Sequence, residues 1–283
     1  MNAASKSGAK FSVLILTYNE EANLPGCLNT VAMSDDIVVL DSESTDRTPE
    51  IAEEAGATIL QRPFDNYAAQ RNHGLAHDFK HDWVLMIDAD ERLSAELAEE
   101  IANIVTQPDP PITLYRCRRQ DIFMGRWIKR SSGYPTWFGR LFRKGRVRTE
   151  REINEEYVTD GEVGLLQGHL VHYPFNKGLH YWFERHNRYS TMEASKLQEE
   201  RNVPVVWTNF WNRDPMLRRK AFKAFAYRMP LRPLFTFGFL YLVKGGVLDG
   251  RAGLHFSIMR AVYEYLIDVK IREIRLTRSE KQL

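Results

Sequence analysis

The chain has 283 residues, enough for one large domain or one domain with a sizeable appendage. Its composition is that of an ordinary globular protein, and its two cysteines, Cys27 and Cys117, lack metal-like spacing, which argues against a disulfide framework and fits a reducing compartment. No apolar run reaches the roughly 18–20 residues of a membrane-spanning helix, and the net charge of +2 conceals an uneven distribution along the chain.

Residues 1–10 are small and polar, without the apolar stretch of a secretory signal, and are expected to form a loose tail. The segment 11–17, FSVLILT, is short, continuous and rich in branched residues, which predicts a fully buried strand. Residues 20–33 predict a helix disturbed by Pro25 and Gly26, and 36–41, DIVVLD, a second buried strand ending in a carboxylate. Thr48 is placed to cap the next helix, with Pro49 at its first position and Gly56 just past its end. A third strand is expected over Thr58–Gln61, a helix over 67–79, and a fourth strand over Trp83–Asp88. A helix over 94–106 carries Leu97, Ile101, Ile104 and Val105 on one side. Four alternations of strand and helix over short connections predict a mostly parallel sheet with helices on both faces.

The pattern changes at 107–111. Residues 112–118 and 135–142 predict strands, and the polar, aromatic segment between them is expected to be a loop over the active site. From Gly178 the chain becomes largely helical and aromatic. The expected organisation is a tail over 1–10, a catalytic domain over 11–175 and a helical region over 176–283.

Three strands end in polar side chains on what should be one edge of the sheet: Thr17-Tyr18-Asn19-Glu20, Asp41 to Asp46, and Asp88-Ala89-Asp90. Such edges are where open α/β sheets bind ligands. Alternation puts Asp88 and Asp90 on the same side of an extended chain, where two hard oxygen donors suit Mg²⁺ or Mn²⁺, and that ion a diphosphate. The mundane alternative is a strand followed by an acidic helix start capped by Ser94. No GxGxxG follows the first strand, and neither GxxxxGK[ST] nor GxSxG occurs, which disfavours dinucleotide oxidoreductases, P-loop NTPases and α/β-hydrolases.

The segments VLILTYNEE, VVLDSESTD and IDADE together resemble those of a family 2 glycosyltransferase with the GT-A fold, over roughly residues 11–175. The QRN and RHNRYS segments look closer still to bacterial transferases of lipopolysaccharide core and exopolysaccharide assembly. There is one departure: Ser42 stands where the family often has Asp, and Glu43 where it has Gly.

The resemblance implies that Asp41 accepts a hydrogen bond from the base or ribose of a nucleotide-sugar, with Thr17, Asn19, Glu20 and Ser44 lining the same crevice; the competing reading of Asp41 is a helix-capping or turn aspartate. It implies that Asp90 ligates Mg²⁺ or Mn²⁺, that Asp88 touches ribose or the metal's water, and that His172 contacts phosphate or the metal. His169, three positions earlier, should face the other way. Arg71 and Arg140 are candidates for the diphosphate, with Arg143 near the same edge, although each also reads as a solvated face. An inverting transfer needs a base; Glu155 stands in the comparable place, with Glu156 as the alternative.

Residues 215–248 contain no acidic residue. Arg218, Arg219, Lys220, Lys223, Arg228, Arg232 and Lys244 alternate there with Phe222, Phe225, Tyr227, Phe235, Phe237, Phe239 and Tyr241. The expectation is an element lying in an anionic membrane surface, the competing one a helical appendage packed on the catalytic domain. No nucleic-acid-binding motif accompanies the charge. The combined reading is a metal-dependent inverting transferase that uses a nucleotide-sugar, expected to be a UDP-sugar. It would act on a glycolipid or lipid-linked oligosaccharide at the cytoplasmic face of the membrane. A sugar-phosphate nucleotidyltransferase and a catalytically silent nucleotide-sugar binder are the alternatives.

Overall fold

The computed structural model describes residues 10–107, 111–150, 156–200, 206–212, 217–218, 221 and 231–280. Most of the expected tail, the candidate bases' first member Glu155, and Arg219, Lys220, Phe222, Lys223, Phe225, Tyr227 and Arg228 lie outside the described residues. Two compact units are present: 1–122 with 134–176, and 123–133 with 177–283.

In the first unit, four strands lie parallel in the order β3 (Thr58–Gln61), β2 (Ile37–Asp41), β1 (Ser12–Thr17), β4 (Trp83–Asp88). Unbroken apolar runs through the middle of β1, β2 and β4 let alternation fill both faces. Val13, Ile15, Val39, Leu85 and Ile87 go to one side, where α1 (Leu24–Val31), α2 (Thr48–Glu54) and α4 (Ala95–Ile104) contribute Leu24, Cys27, Ala52, Leu97 and Ile101. Leu14, Val38, Leu40, Val84 and Met86 go to the other, against Phe79 and against Leu75 of α3 (Tyr67–Leu75). Cys27 and Cys117 are buried free thiols, and burial pushes Cys117 up to about 12.

The helices are shorter than their patterns suggested. Residues 20–23 form a turn, with the amides of Asn23 and Leu24 donating to the Glu20 carbonyl, and Pro25 then enters the first helical turn, where its missing N–H costs nothing. The third helix ends at Leu75, and turns bonded through Gly74 and His77 lead into β4.

Beyond β4 the sheet becomes mixed. After the short β5 (Glu91–Leu93) and α4 come β6 (Ile112–Phe123), β7 (Arg126–Trp127), β8 (Trp137–Arg143), the hairpin β9 (Val147–Glu150) and β10 (Glu156–Thr159), and β11 (Glu162–His172). From β4 the order continues β8, β6, β11, β5. The segment expected to be a loop is partly strand: β6 continues through Arg119, Gln120 and Asp121, which pair with Leu170, Val171 and His172 of β11. Strand β11 carries a bulge between Leu165 and His169. There Glu100 of α4 accepts the freed amides of Gln167 and Gly168 at 2.9–3.0 Å. At Gly168 a β-carbon would come within 2.5 Å of the Leu97 Cα, so only glycine allows strand and helix to cross this closely.

The second unit is mainly helical: α5 (Gly178–Glu200), a 3-10 turn at Trp207–Trp211, α6 (Arg232–Gly238) running into a π-turn at Phe239–Val243, a 3-10 turn at Gly246–Asp249, and α7 (Gly250–Glu280). Helices α5 and α7 bury Ala194, Leu197, Ile267 and Ile271 between them. The buried carboxylate of Asp249 accepts the amides of Arg130 and Ser131 and the Ser131 hydroxyl at 2.7–3.3 Å, which ties 123–133 into this unit. Among the described residues no helix is long and apolar enough to cross a membrane.

Candidate active site

The parallel register Thr17↔Asp41 and Leu16↔Asp88 brings the polar ends of β1, β2 and β4 to one edge. The loop after β2 is built around Asp41, which is fully buried. Its carboxylate accepts the Thr17 hydroxyl at 2.8 Å, the Ser44 amide at 2.8 Å and the Ser44 hydroxyl at 2.5 Å. Asp41 is thus committed to shaping this loop rather than presenting an oxygen outward. Asn19 clasps the same loop: its amide donates to Ser44 Oγ and its side-chain oxygen accepts the Thr45 amide, both at 2.8 Å. Glu20 takes the Asn23 side chain at 2.8 Å and donates its amide to Thr48.

Glu43, which stands where the resembled motif has glycine, sits at φ 60, the left-handed conformation that glycine adopts without cost. Ser42 accepts the Gln70 amide at 3.0 Å. The QRN segment on α3 therefore has three separate tasks. Gln70 braces the Asp41 loop, Asn72 exchanges two hydrogen bonds with the Thr149 backbone at 2.7 and 2.9 Å, and Arg71 reaches the site.

Two buried guanidiniums converge on Asp88. Arg71 Nη2 lies 3.3 Å from Oδ1, and Arg140 Nη2 lies 2.9 Å from Oδ2. Asp88 itself is about one-third exposed, its side chain at 32%. Burial pushes this carboxyl up, but Arg71, Arg140 and Arg119 outweigh it and hold the group well below the usual carboxylate range. Arg140 is shared with Glu91 Oε1 at 2.8 Å, and Glu91, with no exposed surface, also accepts the Asp88 amide at 3.1 Å. Arg143 is elsewhere: β8 runs antiparallel to β4, so Arg143 pairs with Trp83 at the opposite edge. The expectation that both arginines serve one edge holds for Arg140 alone.

Asp90 meets His172, whose Nε2 is 3.2 Å from Asp90 Oδ2 and whose Nδ1 is 2.6 Å from Asp121 Oδ1. Burial lowers the imidazole's basicity, yet the two carboxylates raise it to about 9, so the ring is cationic at neutral pH. His169 bonds instead to the Tyr134 hydroxyl at 2.9 Å. Asp121 is held in turn by Arg119 Nε at 3.0 Å.

Asp88, Asp90 and His172 do not form one ligand set, and among the described residues no three His, Cys, Asp or Glu side chains are grouped to hold a metal. Asp88 has turned to its two arginines. An ion between Asp90 and His172 would have to displace the proton that Nε2 shares with Asp90 Oδ2 at 3.2 Å, leaving a neutral ring still oriented by Asp121 through Nδ1. An ion there would take the rest of its shell from diphosphate oxygens and water. Glu91, Arg119 and Asp121 were absent from the sequence expectations. Glu91 stands inside IDADE, and alternation along β6 puts Arg119 and Asp121 on one side, so the signal was present.

The description "Glycosyl transferase family 2" matches residues 12–164, which hold every described site residue except His172. The chain belongs to glycosyl transferase family 2. As a family 2 glycosyltransferase it is 28% identical to an uncharacterized glycosyltransferase of Rickettsia prowazekii, over 94% of this chain and 88% of the relative. It is 28% identical to the lipopolysaccharide core biosynthesis glycosyltransferase LpsC of Rhizobium meliloti, over 92% and 91% of the two chains. Among solved structures, the mannosyltransferase PcManGT from Pyrobaculum calidifontis, in complex with GDP-Man and Mn²⁺, shares the fold. Its TM-score is 0.52 at 17% identity, covering 93% of this chain and 86% of that one. The chain spans half, 50%, of the glucosyl-3-phosphoglycerate synthase structure from Mycobacterium tuberculosis that it also matches, at a TM-score of 0.34.

Proposed function

We infer that this family 2 glycosyltransferase moves a hexosyl group, with inversion, from a UDP-sugar to a glycolipid acceptor of lipopolysaccharide-core or lipid-linked oligosaccharide type. The observation that carries the reading is Asp88 clamped by two buried arginines beside the Asp90–His172 pair. The names of the relatives lend support: LpsC is a lipopolysaccharide core enzyme, and PcManGT holds a nucleotide-sugar with Mn²⁺. The acceptor chemistry supports work at the inner face of the membrane, where nucleotide-sugars are made.

In this reading the Asp41 loop, held by Thr17, Asn19 and Ser44, gives the nucleoside a rigid wall, and Asp88 is oriented toward the ribose by Arg71 and Arg140. Asp90 and His172 would hold Mg²⁺ or Mn²⁺, which when bound supplies positive charge to the diphosphate leaving group. Arg71, 3.3 Å from Asp88, would orient the same diphosphate. Glu155, or its neighbour Glu156, takes the proton from the acceptor hydroxyl as it attacks the anomeric carbon opposite the diphosphate. This assignment of the base rests on sequence position.

Calorimetry with EDTA-stripped protein tests the reading. UDP should bind at least tenfold more tightly after Mn²⁺ is restored, and Asp90→Asn should abolish that gain. Equal affinity with and without the ion overturns the metal site. A panel of UDP-sugars and GDP-mannose should show slow nucleotide release with one donor, lost in Glu155→Gln while donor binding persists. Unchanged turnover in Glu155→Gln would move the base elsewhere.

A further inference from the structure

The helical run from Arg232 to Val243 is inside out. Its α6 part and the π-turn are continuous, since Gly238 and Phe239 both keep helical backbone angles and the Lys244 amide donates to the Phe239 carbonyl at 2.7 Å. A helix on a water-soluble surface hides its apolar stripe and exposes its polar one. Here the charged residue is the hidden one. Arg232, 7% exposed, points into α7, where it pairs with Glu264 and lies 3.6 Å from Asp268. The outward side carries Leu234, Phe235, Phe239, Leu242 and Val243, with Leu234 at 65%, Leu242 at 66% and Val243 at 75% exposure. Leu248 continues the strip at 67%. A contiguous apolar strip of this kind marks an interaction surface rather than an ordinary scatter of exposed leucines.

Charge selects the partner. At the carboxyl end of the strip lie exposed Lys244 and Arg251, with Arg130 against Gly245 and Arg126 against Gly250. The one acidic group of the neighbouring 3-10 turn, Asp249, is buried and consumed by Arg130 and Ser131 backbone amides. Residues 215–248 contain no other acidic side chain to oppose them. The run of helix is too short to span a bilayer, and none of the described helices meets that requirement. An apolar strip bordered by cations, on a helix too short to cross, matches the interface of an anionic bilayer.

We propose that the outward face of residues 231–248 is a membrane-docking surface that lies in the headgroup region of anionic lipid, with Leu234, Phe235, Phe239, Leu242 and Val243 dipping below the headgroups and Lys244, Arg130 and Arg251 meeting lipid phosphates. This deepens the reading of a glycolipid acceptor by assigning the surface that meets the lipid. Its test is separable, because vesicle binding needs no sugar transfer.

The full chain is sedimented with vesicles of phosphatidylglycerol and phosphatidylethanolamine, and in parallel with phosphatidylcholine alone. Binding is expected to the anionic vesicles, falling by tenfold or more as salt rises from 50 to 500 mM. The pair Leu234→Gln with Leu242→Gln should lose at least tenfold in vesicle affinity while keeping its far-ultraviolet circular dichroism and its nucleotide-sugar hydrolysis. Lys244→Gln with Arg251→Gln should bind less and lose most of the salt dependence. The proposal is overturned if wild-type protein stays in the supernatant with both vesicle types. Undiminished binding of the leucine pair also overturns it. So does a dimer in size-exclusion chromatography that the leucine pair dissolves without any change on vesicles, because the strip then serves a second copy. Loss of hydrolysis in wild type with vesicle binding intact would instead count against the enzymatic reading alone.

Discussion

Glu91 shows how one buried side chain can hold a site together without facing a ligand. It fixes Arg140 at 2.8 Å and the Asp88 amide at 3.1 Å, so it sets both the carboxylate and one of the two cations that clamp it. Removing one partner of a buried ion pair leaves the other charge uncompensated, which typically costs ~3–5 kcal/mol. Glu91→Ala is therefore expected near the lower end, ~3 kcal/mol, since Asp88 still faces Arg140. Urea unfolding measures it, and a loss under ~1 kcal/mol would show that Arg140 is held by other means. At the same scale, Glu43 at φ 60 explains a motif departure. The turn needs a left-handed residue, and the chain meets that need with a strained glutamate rather than glycine.

Among the elements, the bulge of β11 governs the site from a distance. Gly168 lets β11 cross α4, and four residues on the same strand delivers His172 to Asp90. Gly168→Ala forces a β-carbon against the Leu97 backbone, and overpacking of this kind costs ~1–3 kcal/mol. The expected result is a lowered urea midpoint together with weakened Mn²⁺-dependent UDP binding; an unchanged midpoint would mean the helix slides freely. Sequence pattern revealed β1, β2 and β4 because each is buried on both faces and so reads as an unbroken apolar run. It stopped β6 at Arg118 because Arg119, Gln120 and Asp121 look like loop residues. Their strand state is imposed by β11, a partner more than 40 residues away, which no local window contains. The same holds for the site. Asp88 and Asp90 were legible as a pair, but their separation into an arginine clamp and a histidine pair depends on side chains from α3, β6, β8 and β11.

For the molecule as a whole, acid should loosen the helical unit. His186 stacks on Trp182 with ring centroids 3.6 Å apart and donates Nδ1–H to the Trp182 carbonyl at 2.8 Å. Tyr189 and Tyr263 border the ring. Burial, then the nearby Arg185 and Arg260, depress its pKa to about 4. The ring is thus neutral in the folded chain between about 4 and the ordinary 6.5, while the unfolded chain takes up a proton over that window. Protons favour the unfolded state there, so stability falls as pH drops through 6.5 toward 4 and is unaffected above it. Between pH 7 and 5, wild-type Tm should fall further than that of His186→Phe, which has no proton to gain. Equal slopes for the two proteins would remove His186 as a contributor.

The Asp249 anchorage has a consequence for anyone dividing the polypeptide. The chain leaves the sheet unit at Ile122, spends eleven residues in the helical unit, returns at Tyr134 and departs again after Asn176. A fragment ending at Asn176 would keep Phe123, Ile128 and Ser131, all now fully enclosed, but discard the carboxylate and helices that enclose them. It should emerge from cells as inclusion material, whereas a version in which 123–133 is replaced by a short glycine-serine bridge should stay in solution. The sheet unit, in other words, cannot be excised with a single cut.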